Sequence, residues 1–506
     1  MLNYRKHSNL AIQFVHGLNS LYRKNISCFI LLLMLCLSVP DLIAQQVIWA
    51  NKNNLDKRTD FTKVIGQNRF GVYVLKHKNS TFRRYFILEQ FDKKMNLLRS
   101  KTFKIPGGEL EKIVVAENQV VYFTKVYGKG FFYTLKMQTI DSAFNESAPQ
   151  TIVNSESFNN EAINFRIEYT HKKDKFLIWY MLETGDKTKL VYHLCNASNY
   201  LKQGENVIES NLSEIYIGDA VLDDSANLYI FYSKSEKFRS KNSEDFFHYV
   251  YAHNLNSGKI LNQLINNTET YVSSYKIAYN YNNNTVTAIG FHGVDNEDEN
   301  KGYFSVIIDC ALQQVKQTIF KDFDRKIVSQ IIGAKNEKNG DQLSKFKIKK
   351  LIPKMDGGTM IIAERSYVTT QSEIFYVNGI PQSSYAKIFN NDEVLLVCTD
   401  SVGNTLWTDV IIKNQSTVND GGYYNGIIVM VNDDQVNILY NDKLNANADI
   451  IQVSYSPNGE HSKKILLNND QYYALVIPAE YNQVSANSIV IPINQNRDFT
   501  YIKLLY

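Results

Sequence analysis

The sequence has little of the residues that most often shape turns and crosslinks. Its 506 residues include 8 prolines, 24 glycines and 5 cysteines, and 21% of them are charged. With 44% hydrophobic residues, this composition excludes a collagen, a disordered chain and a multi-span membrane protein. Asparagine is abundant instead, at 54 residues. Because asparagine tolerates left-handed backbone angles and caps turns, we expect it to take over much of the turn-forming role of glycine.

Long hydrophobic runs are also scarce, and the clearest one lies near the N-terminus. Residues 26–39 (ISCFILLLMLCLSV) follow a basic stretch and precede a small residue, Ala44. A membrane-spanning helix needs about 20 apolar residues, so this run is short for a span and typical of a secretory signal peptide. The pattern predicts a signal peptide over residues 1–44, cleaved between Ala44 and Gln45 or retained as an anchor. We therefore expect export to the periplasm, the outer surface or the medium.

No excess charge of either sign remains after that segment. The mature chain carries 51 basic and 50 acidic residues. Such a balance produces no long-range field toward nucleic acid or an anionic membrane surface, so neither is expected as a partner. The mature chain also has no apolar run long enough for a transmembrane span, and we expect a monomer.

Cysteine is too sparse for a metal or redox motif. Cys195, Cys310 and Cys398 remain after cleavage, far apart and without a CxxC pair. Cys195 and Cys398 lie in strand-like runs, which favours buried, small apolar residues. One disulfide is compatible with an oxidising compartment, but the spacing selects no pair.

What the chain has throughout is short strand-like segments. Runs of five to nine β-branched and aromatic residues, such as FGVYVLKH (70–77) and FFYTLKMQTI (131–140), alternate with turns rich in Asn, Asp, Lys and Ser. Alternation within the runs predicts half-buried strands joined by hairpins. Few windows show helical spacing, so the fold class is predicted as all-β.

The strands recur in similar groups of four. A polar turn between the third and fourth strands repeats, as at 92–96 (DKKMN), 254–258 (NLNSG), 400–404 (DSVGN) and 456–459 (SPNG). Opening strands are expected near residues 61, 111, 162, 216, 272, 345, 423 and 472. Four strands per unit of about 40–50 residues predict a β-propeller of seven to eight blades. Two β-sandwich domains are the alternative.

Two insertions and one incomplete unit modify this pattern. Residues 323–344 and 366–384 interrupt the repeat, and the last group contains three strands. The N-terminal strand at 45–50 supplies the fourth, because closing the ring removes open sheet edges. Residues 45–506 are therefore predicted to form a single propeller domain.

Part of the chain resembles a known group. The turn at 400–407 (DSVGNTLW) looks like the Asp…Gly…Trp turn of many propeller blades. Together with segments at 351–358, 361–364, 413–416, 419–421 and 439–442, it resembles uncharacterised exported propeller-like proteins of Bacteroidota. The resemblance covers mainly residues 345–470. It implies the propeller fold and export and carries no established activity. A sialidase-type box is not matched, since two residues separate Asp400 from Gly403 instead of one.

Motifs for catalysis and cofactors are absent from the sequence. There is no G-x-S-x-G elbow and no phosphate-binding glycine loop. His248 and His253 are five apart on one strand-like run, so they should face opposite sides and be satisfied or solvent-facing. The acidic cluster at 295–300 is interpreted as a solvated hairpin tip, although its oxygens suit Ca²⁺. We assign no catalytic residue, no metal and no cofactor, and the ligand-binding residues stay undetermined.

Two functions remain open at this point. The first is an exported binding or scaffolding module that holds a protein or glycan at the cell envelope. Its binding surface would use aromatic residues, namely Tyr367, Phe375 and Tyr376 in the second insertion or Tyr423-Tyr424 and Tyr472-Tyr473 at strand starts. Blade packing is the alternative role of these tyrosines. The second function is a propeller enzyme, such as a glycoside hydrolase or lyase, with channel carboxylates. Glu364, at an expected strand end, is an acid of interest, but a surface carboxylate is favoured. The absence of motifs favours binding.

Overall fold

The computed structural model describes most of the chain after residue 44. The described residues are 45–51, 61–77, 85–128, 132–156, 163–184, 187–196, 200–209, 215–237, 244–255, 257–266, 270–293, 299–333, 343–377, 380–444, 448–495 and 498–506. Contacts group residues 47–504 into one compact unit, which is described below. The expected signal peptide, up to Ala44, lies outside the described residues.

The first four sheets each contain four antiparallel strands in chain order. Their strands alternate apolar and polar residues, as in FYTLKMQTI of the second sheet, which suits a sheet with buried faces. Sheet 1 consists of β2 (Phe61–Asn68), β3 (Gly71–His77), β4 (Tyr85–Phe91) and β5 (Leu97–Lys104); sheet 2 of β6 (Gly108–Val115), β7 (Val120–Tyr127), β8 (Phe132–Ile140) and β9 (Gln150–Glu156); sheet 3 of β10 (Arg166–Tyr169), β11 (Lys175–Thr184), β12 (Lys187–Asn196) and β13 (Tyr200–Glu209); and sheet 4 of β14 (Ile215–Leu222), β15 (Leu228–Lys237), β16 (Glu244–His253) and β17 (Ile260–Leu264).

The next sheets repeat this order with additions. Sheet 5 consists of β18 (Tyr271–Asn280), β19 (Thr285–Gly293), β21 (Gly302–Asp309) and β22 (Gln314–Asp322); sheet 6 of β24 (Phe346–Pro353), β25 (Thr359–Val377), β26 (Ile380–Thr399) and β27 (Thr405–Ile411), with β28 (Gln415–Val418) beside β26; and sheet 7 of β29 (Ile428–Val431), β30 (Val436–Asn441), β31 (Ile450–Tyr455) and β32 (His461–Leu467). A two-stranded sheet pairs β20 (Glu299–Asn300) with β23 (Leu343–Ser344).

Sheet 8 joins the two ends of the chain. It contains β33 (Ala474–Val476), β35 (Ser488–Gln495), β36 (Asp498–Leu505) and the N-terminal strand β1 (Gln46–Trp49), with β34 (Asn482–Ser485) beside β35. The backbone N–H of Ala50 donates to the Tyr501 carbonyl at 2.9 Å. The last sheet is therefore completed by the N-terminal strand, as predicted.

Neighbouring sheets pack through clusters of apolar and aromatic side chains at seven of the eight seams. Each of seven buried clusters draws on two consecutive sheets, and one of them joins sheet 8 to sheet 1. At the seam of sheets 7 and 8, the Val429 N–H donates to the Tyr481 hydroxyl at 3.1 Å. Ring pairs across other seams include Phe86–Tyr122, Phe123–Phe176, Phe231–Phe304, Trp407–Tyr455 and Phe91–Tyr501. Much of the aromatic content thus fills the space between sheets.

The eight sheets close into a ring, so the fold is an eight-bladed β-propeller. First strands of neighbouring sheets contact each other, as β14 with β18 and β18 with β24, whereas fourth strands such as β5 are largely exposed. The first strands therefore line the axis. They begin at residues 61, 108, 166, 215, 271, 346, 428 and 474, close to the predicted positions. The β-sandwich alternative is wrong.

The recurring polar turn has a common geometry. In the first sheet, Asp92 Oδ1 accepts hydrogen bonds from the backbone N–H groups of Lys94 and Asn96, both at 2.8 Å, and Met95 takes a positive φ of 63°. The same turn forms at 141–145 and 400–404. Among the described residues, two of the ten non-glycine residues with positive φ are asparagines. Asparagine therefore serves these turns more through its side-chain amide than through left-handed backbone angles.

The two insertions have different structures. The first contains helix α1 (Arg325–Ile332), whose N-terminus is capped by Asp324, and returns through β23; residues 334–342 are outside the described residues. The second is a long hairpin in which β25 and β26 stay paired past the ends of β24 and β27, from Ser366–Asn391 to Val377–Ile380, with β28 beside the base of the hairpin. A short helix α2 (Asn469–Tyr472) precedes β33.

The three described cysteines are free and buried, as favoured by the sequence: Cys195 lies in β12, Cys398 in β26 and Cys310 directly after β21. Burial raises the thiol pKa of Cys195 and of Cys310 to about 12 and also raises that of Cys398. We expect native protein to resist iodoacetamide at these three positions, because the reactive thiolate is neither formed nor accessible. In denaturant all three should react, as read by mass spectrometry of peptides. Equal labelling rates in the native and denatured states would contradict this burial.

Candidate functional site

Two open cavities lie side by side where the first strands of several sheets begin. The larger, of about 720 Å³, is bounded by residues of sheets 4, 5 and 6. The smaller, of about 390 Å³, is bounded by sheets 6, 7 and 8. Lys347 on β24 lines both cavities. A ligand that spans the two would therefore pass this ammonium group.

β-Bulges shape the strands around these cavities. The first strands of five sheets each carry one extra residue opposite the second strand, at Ile65, Glu111, Gly218, Ser274 and Lys349. A bulge leaves its residue unpaired and redirects the neighbouring side chains. At Gly218, a Cβ atom would lie 1.8 Å from the ring of Tyr275, so only glycine leaves room for that ring. Tyr275 in turn stacks on Phe231, with ring centroids 4.0 Å apart.

The larger cavity is rich in hydrogen-bond donors. Lys276, Lys345 and Lys347 line it, and its described lining residues include no carboxylate. The Lys276 ammonium lies 3.9 Å from Asp219 Oδ2, whereas Lys345 lies over the Tyr367 ring at 5.0 Å. Ser274 Oγ accepts a hydrogen bond from the Ile348 N–H at 2.7 Å. The net electrostatic character of the described wall is positive.

His248 lines the same cavity without adding charge. It is 6% exposed, and burial lowers its pKa to about 4, so the ring is neutral at pH 7. Its ring contacts Phe231 and Tyr275, whereas His253 contacts Tyr192 and Tyr251. The two histidines face opposite sides of sheet 4, as predicted. The solvent-facing alternative is wrong, because both rings are buried between sheets.

The floor of the smaller cavity is a buried ion network around Glu364. Glu364 is fully buried, and its Oε1 lies 2.8 Å from the ammonium of Lys413, which is 2% exposed. Its Oε2 lies 3.1 Å from Lys349 and accepts from Asn391 Nδ2 at 2.5 Å. Lys413 also donates to the Asn391 carbonyl at 2.7 Å and to Gln415 Oε1 at 2.9 Å. Desolvation lowers the pKa of Lys413, and the Glu364 charge partly offsets that effect.

Glu364 is thus not the surface carboxylate that the sequence favoured. It lies inside β25, because that strand runs on to Val377 instead of ending after MIIA. The base of the long hairpin, including Tyr367 and Phe389, forms one wall of the smaller cavity above it. A glycine-containing loop at 421–427 also lines the cavity, and Gly421-Gly422 lie in a turn.

A second group of ionisable side chains lies on the first strands of sheets 2 to 5. Burial raises the pKa of Glu168 to about 7; Lys112 opposes this shift, and Asp219 adds to it. Lys112 donates to the Ile167 carbonyl at 2.8 Å. In the 3₁₀ turn between β33 and β34, burial raises the pKa of Glu480 to about 7, with Lys63 at 3.8 Å. Acidic and basic groups of neighbouring first strands therefore lie close enough to influence one another.

The aromatic residues and the acidic cluster that the sequence singled out lie in different parts of the structure. Tyr367 lines the smaller cavity, while the side chains of Phe375 and Tyr376 lie outside the described ones. Tyr423-Tyr424 lie in a turn before β29, and Tyr472-Tyr473 lie at and after α2, so neither pair opens a strand. Of the acidic cluster, residues 295–298 lie outside the described residues, and Glu299–Asn300 form β20.

The lysines that line the cavities were not recognised as candidate site residues in the sequence. Lysine and arginine together number 55, and nothing in the local sequence separates these from the rest. Within the described residues, no group of three or more His, Cys, Asp or Glu side chains is arranged to hold a metal ion. None of the described helices is both long enough and apolar enough to cross a membrane.

No protein family and no curated protein matches the chain. Among solved structures, prolyl oligopeptidase B from Galerina marginata is 11% identical, with a TM-score of 0.41 over 87% of this chain and 56% of that one. The WD40 domain of SCAP from fission yeast is 10% identical, with a TM-score of 0.37 over 91% and 98%. The β-propeller domain of the Trilobed protease from Pyrococcus furiosus is 9% identical, with a TM-score of 0.37 over 81% and 97%. The chain spans little more than half of the peptidase, and likenesses this distant say nothing about what it binds.

Proposed function

We propose that this β-propeller is an exported binding module that holds a protein segment or a glycan at the cell envelope. The observation that carries the proposal is the pair of adjoining open cavities that share Lys347. Concave sites lined by aromatic rings and a few polar groups are the usual form of ligand sites. The signal peptide predicted from residues 1–44 supports the exported location.

The arrangement around the cavities favours binding over catalysis. Among the described lining residues of the smaller cavity the one carboxylate is Glu364, and both of its oxygens already have protein partners in Lys413, Lys349 and Asn391. A general acid or base needs a proton that it can exchange with the substrate. These contacts leave Glu364 suited to positioning Lys349 at the cavity.

Lys347→Glu is expected to weaken ligand binding at least tenfold, because it reverses the charge that both cavities share. The ligand would first be identified on an array of glycans and peptides, and its affinity measured by calorimetry. Lys464→Glu, on the exposed outer strand β32, is the matched control and should leave the affinity unchanged. Equal affinities of both variants and the native protein, or no ligand on the array, would overturn the proposal.

A propeller enzyme is the second candidate, and the Glu168 site is the observation that favours it. A carboxyl whose pKa is about 7 beside a second carboxylate is a common arrangement for acid–base chemistry. If this candidate is correct, the array ligand is cleaved on prolonged incubation and Glu168→Gln abolishes cleavage without changing affinity. An intact ligand after incubation would exclude cleavage of that ligand.

A further inference from the structure

We infer that the larger cavity binds an acidic sugar, a carboxylated or sulfated unit of an anionic glycan. This inference rests on the proposed binding function and specifies its ligand. The described wall offers ammonium groups and hydroxyls and no carboxylate, so it complements a ligand rich in acceptor oxygens and negative charge.

Of the basic side chains that line the larger cavity, Lys345 and Lys347 are the two that can pair with an anionic ligand. Lys276 is partly neutralised by Asp219, at 3.9 Å, and His248 is neutral because it is buried. Both Lys345 and Lys347 are exposed, at the start of β24, and no ion pair with a described carboxylate involves either. A lysine ammonium is a point charge, which suits a carboxylate and a sulfate equally.

The polar and aromatic lining suits a sugar ring. Ser274, the bulged residue of β18, uses its oxygen to accept from Ile348, and its hydroxyl hydrogen has no acceptor among the described residues. Ser273 and Asn300 hydrogen-bond to each other beside it. Tyr216 is 47% exposed at the rim of the cavity. Aromatic rings and hydroxyl donors of this kind pack against and bind the faces and oxygens of sugars.

An acidic peptide fits this wall less well. An extended peptide usually binds by adding a strand to a regular sheet edge. The inner edges of sheets 4, 5 and 6 are each interrupted by a bulge, at Gly218, Ser274 and Lys349. The regular spacing of backbone groups that strand addition requires is therefore broken beside the cavity.

The test compares four probes by calorimetry: a hexamer of galacturonic acid, its fully methyl-esterified form, a sulfated hexasaccharide and hexaglutamate. We expect one of the two anionic sugars to bind, and the ester to bind at least tenfold more weakly than the free acid if the acid is the ligand. Lys345→Met and Lys347→Met should each lower the affinity at least tenfold, because each removes a charge-assisted hydrogen bond to the ligand. Lys464→Met is the control and should have no effect.

The outcomes separate this inference from the proposed function. Equal binding of the acid and its ester, or tighter binding of hexaglutamate than of either anionic sugar, would overturn the acidic-sugar inference. If none of the four probes binds while an array ligand remains sensitive to Lys347→Glu, the inference falls and the binding function stands. If the array also yields no ligand, the binding function falls with it.

Discussion

Glu364→Gln is expected to lower the free energy of unfolding by about 3–5 kcal/mol, the usual cost of leaving one member of a buried ion pair without its partner. Glu364 is fully buried, and so is its partner Lys413, with 2.8 Å between the charged atoms. Lys349 is 35% exposed and can turn to water, but Lys413 cannot. In the variant, the acceptors that remain for the Lys413 ammonium are the Asn391 carbonyl and Gln415, and both are neutral. Denaturant unfolding would measure the change.

The pH dependence of this variant gives a second readout. Burial already lowers the pKa of Lys413, and removal of the carboxylate lowers it further. Between the pKa of Lys413 in the folded variant and the ordinary lysine pKa, Lys413 is protonated in the unfolded chain and deprotonated in the folded one. The free energy of unfolding therefore rises with pH in that window. We therefore expect the deficit of Glu364→Gln relative to the native protein to shrink between pH 7 and about 10.

Two further variants control this prediction. Glu393→Gln removes the carboxylate of a half-buried pair with Arg365, at 3.4 Å on the neighbouring strand, and should cost less than about 1 kcal/mol. The double replacement Glu364→Leu with Lys413→Met removes both buried charges and should recover much of the loss. A deficit of Glu364→Gln no larger than that of Glu393→Gln would show that the network does not stabilise the fold.

Removal of the N-terminal strand is expected to have a comparable effect. A chain that begins at Asn51 loses β1, the Ala50–Tyr501 hydrogen bond and the stacking of Trp49 on Tyr472, whose ring centroids are 5.4 Å apart. The cost is about 4 kcal/mol, from the burial of Ile48, Trp49 and Ala50 at about 25 cal/mol per Å². Strand β36 then becomes an open sheet edge, which promotes aggregation. Thermal unfolding and light scattering, compared with a chain that begins at Gln45, would measure both effects.

Rescue by the missing strand distinguishes ring closure from a general loss of stability. A synthetic peptide of residues 45–51, added in excess, should raise the Tm of the shortened chain because it can pair with β36. A scrambled peptide of the same composition is the control. A shortened chain with the Tm of the longer one, or equal effects of both peptides, would show that β1 does not close the ring.

Much of the fold was predictable because the signals for it are local. Strand alternation in FYTLKMQTI and the turn at Asp92–Asn96 depend on residues close together in the chain. The last group of the sequence has three strands, which implied that a fourth comes from elsewhere in the chain, and β1 completes that sheet. The positive φ angles of Met95 and Phe144 were not predictable, since the turn is held by side chains of Asp and Asn and tolerates many residues between them.

The site was much less predictable, because its residues come from separate sheets. The burial of Glu364 depends on Lys413 and on the continuation of β25 into the long hairpin, and neither is visible at Glu364 itself. The bulges that place Ser274 and Lys349 arise from the way first strands pair with second strands. No local pattern marks Lys345 and Lys347 among the other lysines.

Three features could be predicted from the sequence alone: the class of the fold, its repeating four-strand unit and the closure of the ring by the N-terminal strand. These follow from alternation and turn chemistry, which act between residues near in the chain. Three other features became known only from the folded structure: which charges are buried, which are paired and which lysines face a cavity. Those properties depend on what lies across the seams between sheets, because burial and Coulomb interactions act through space and not along the chain.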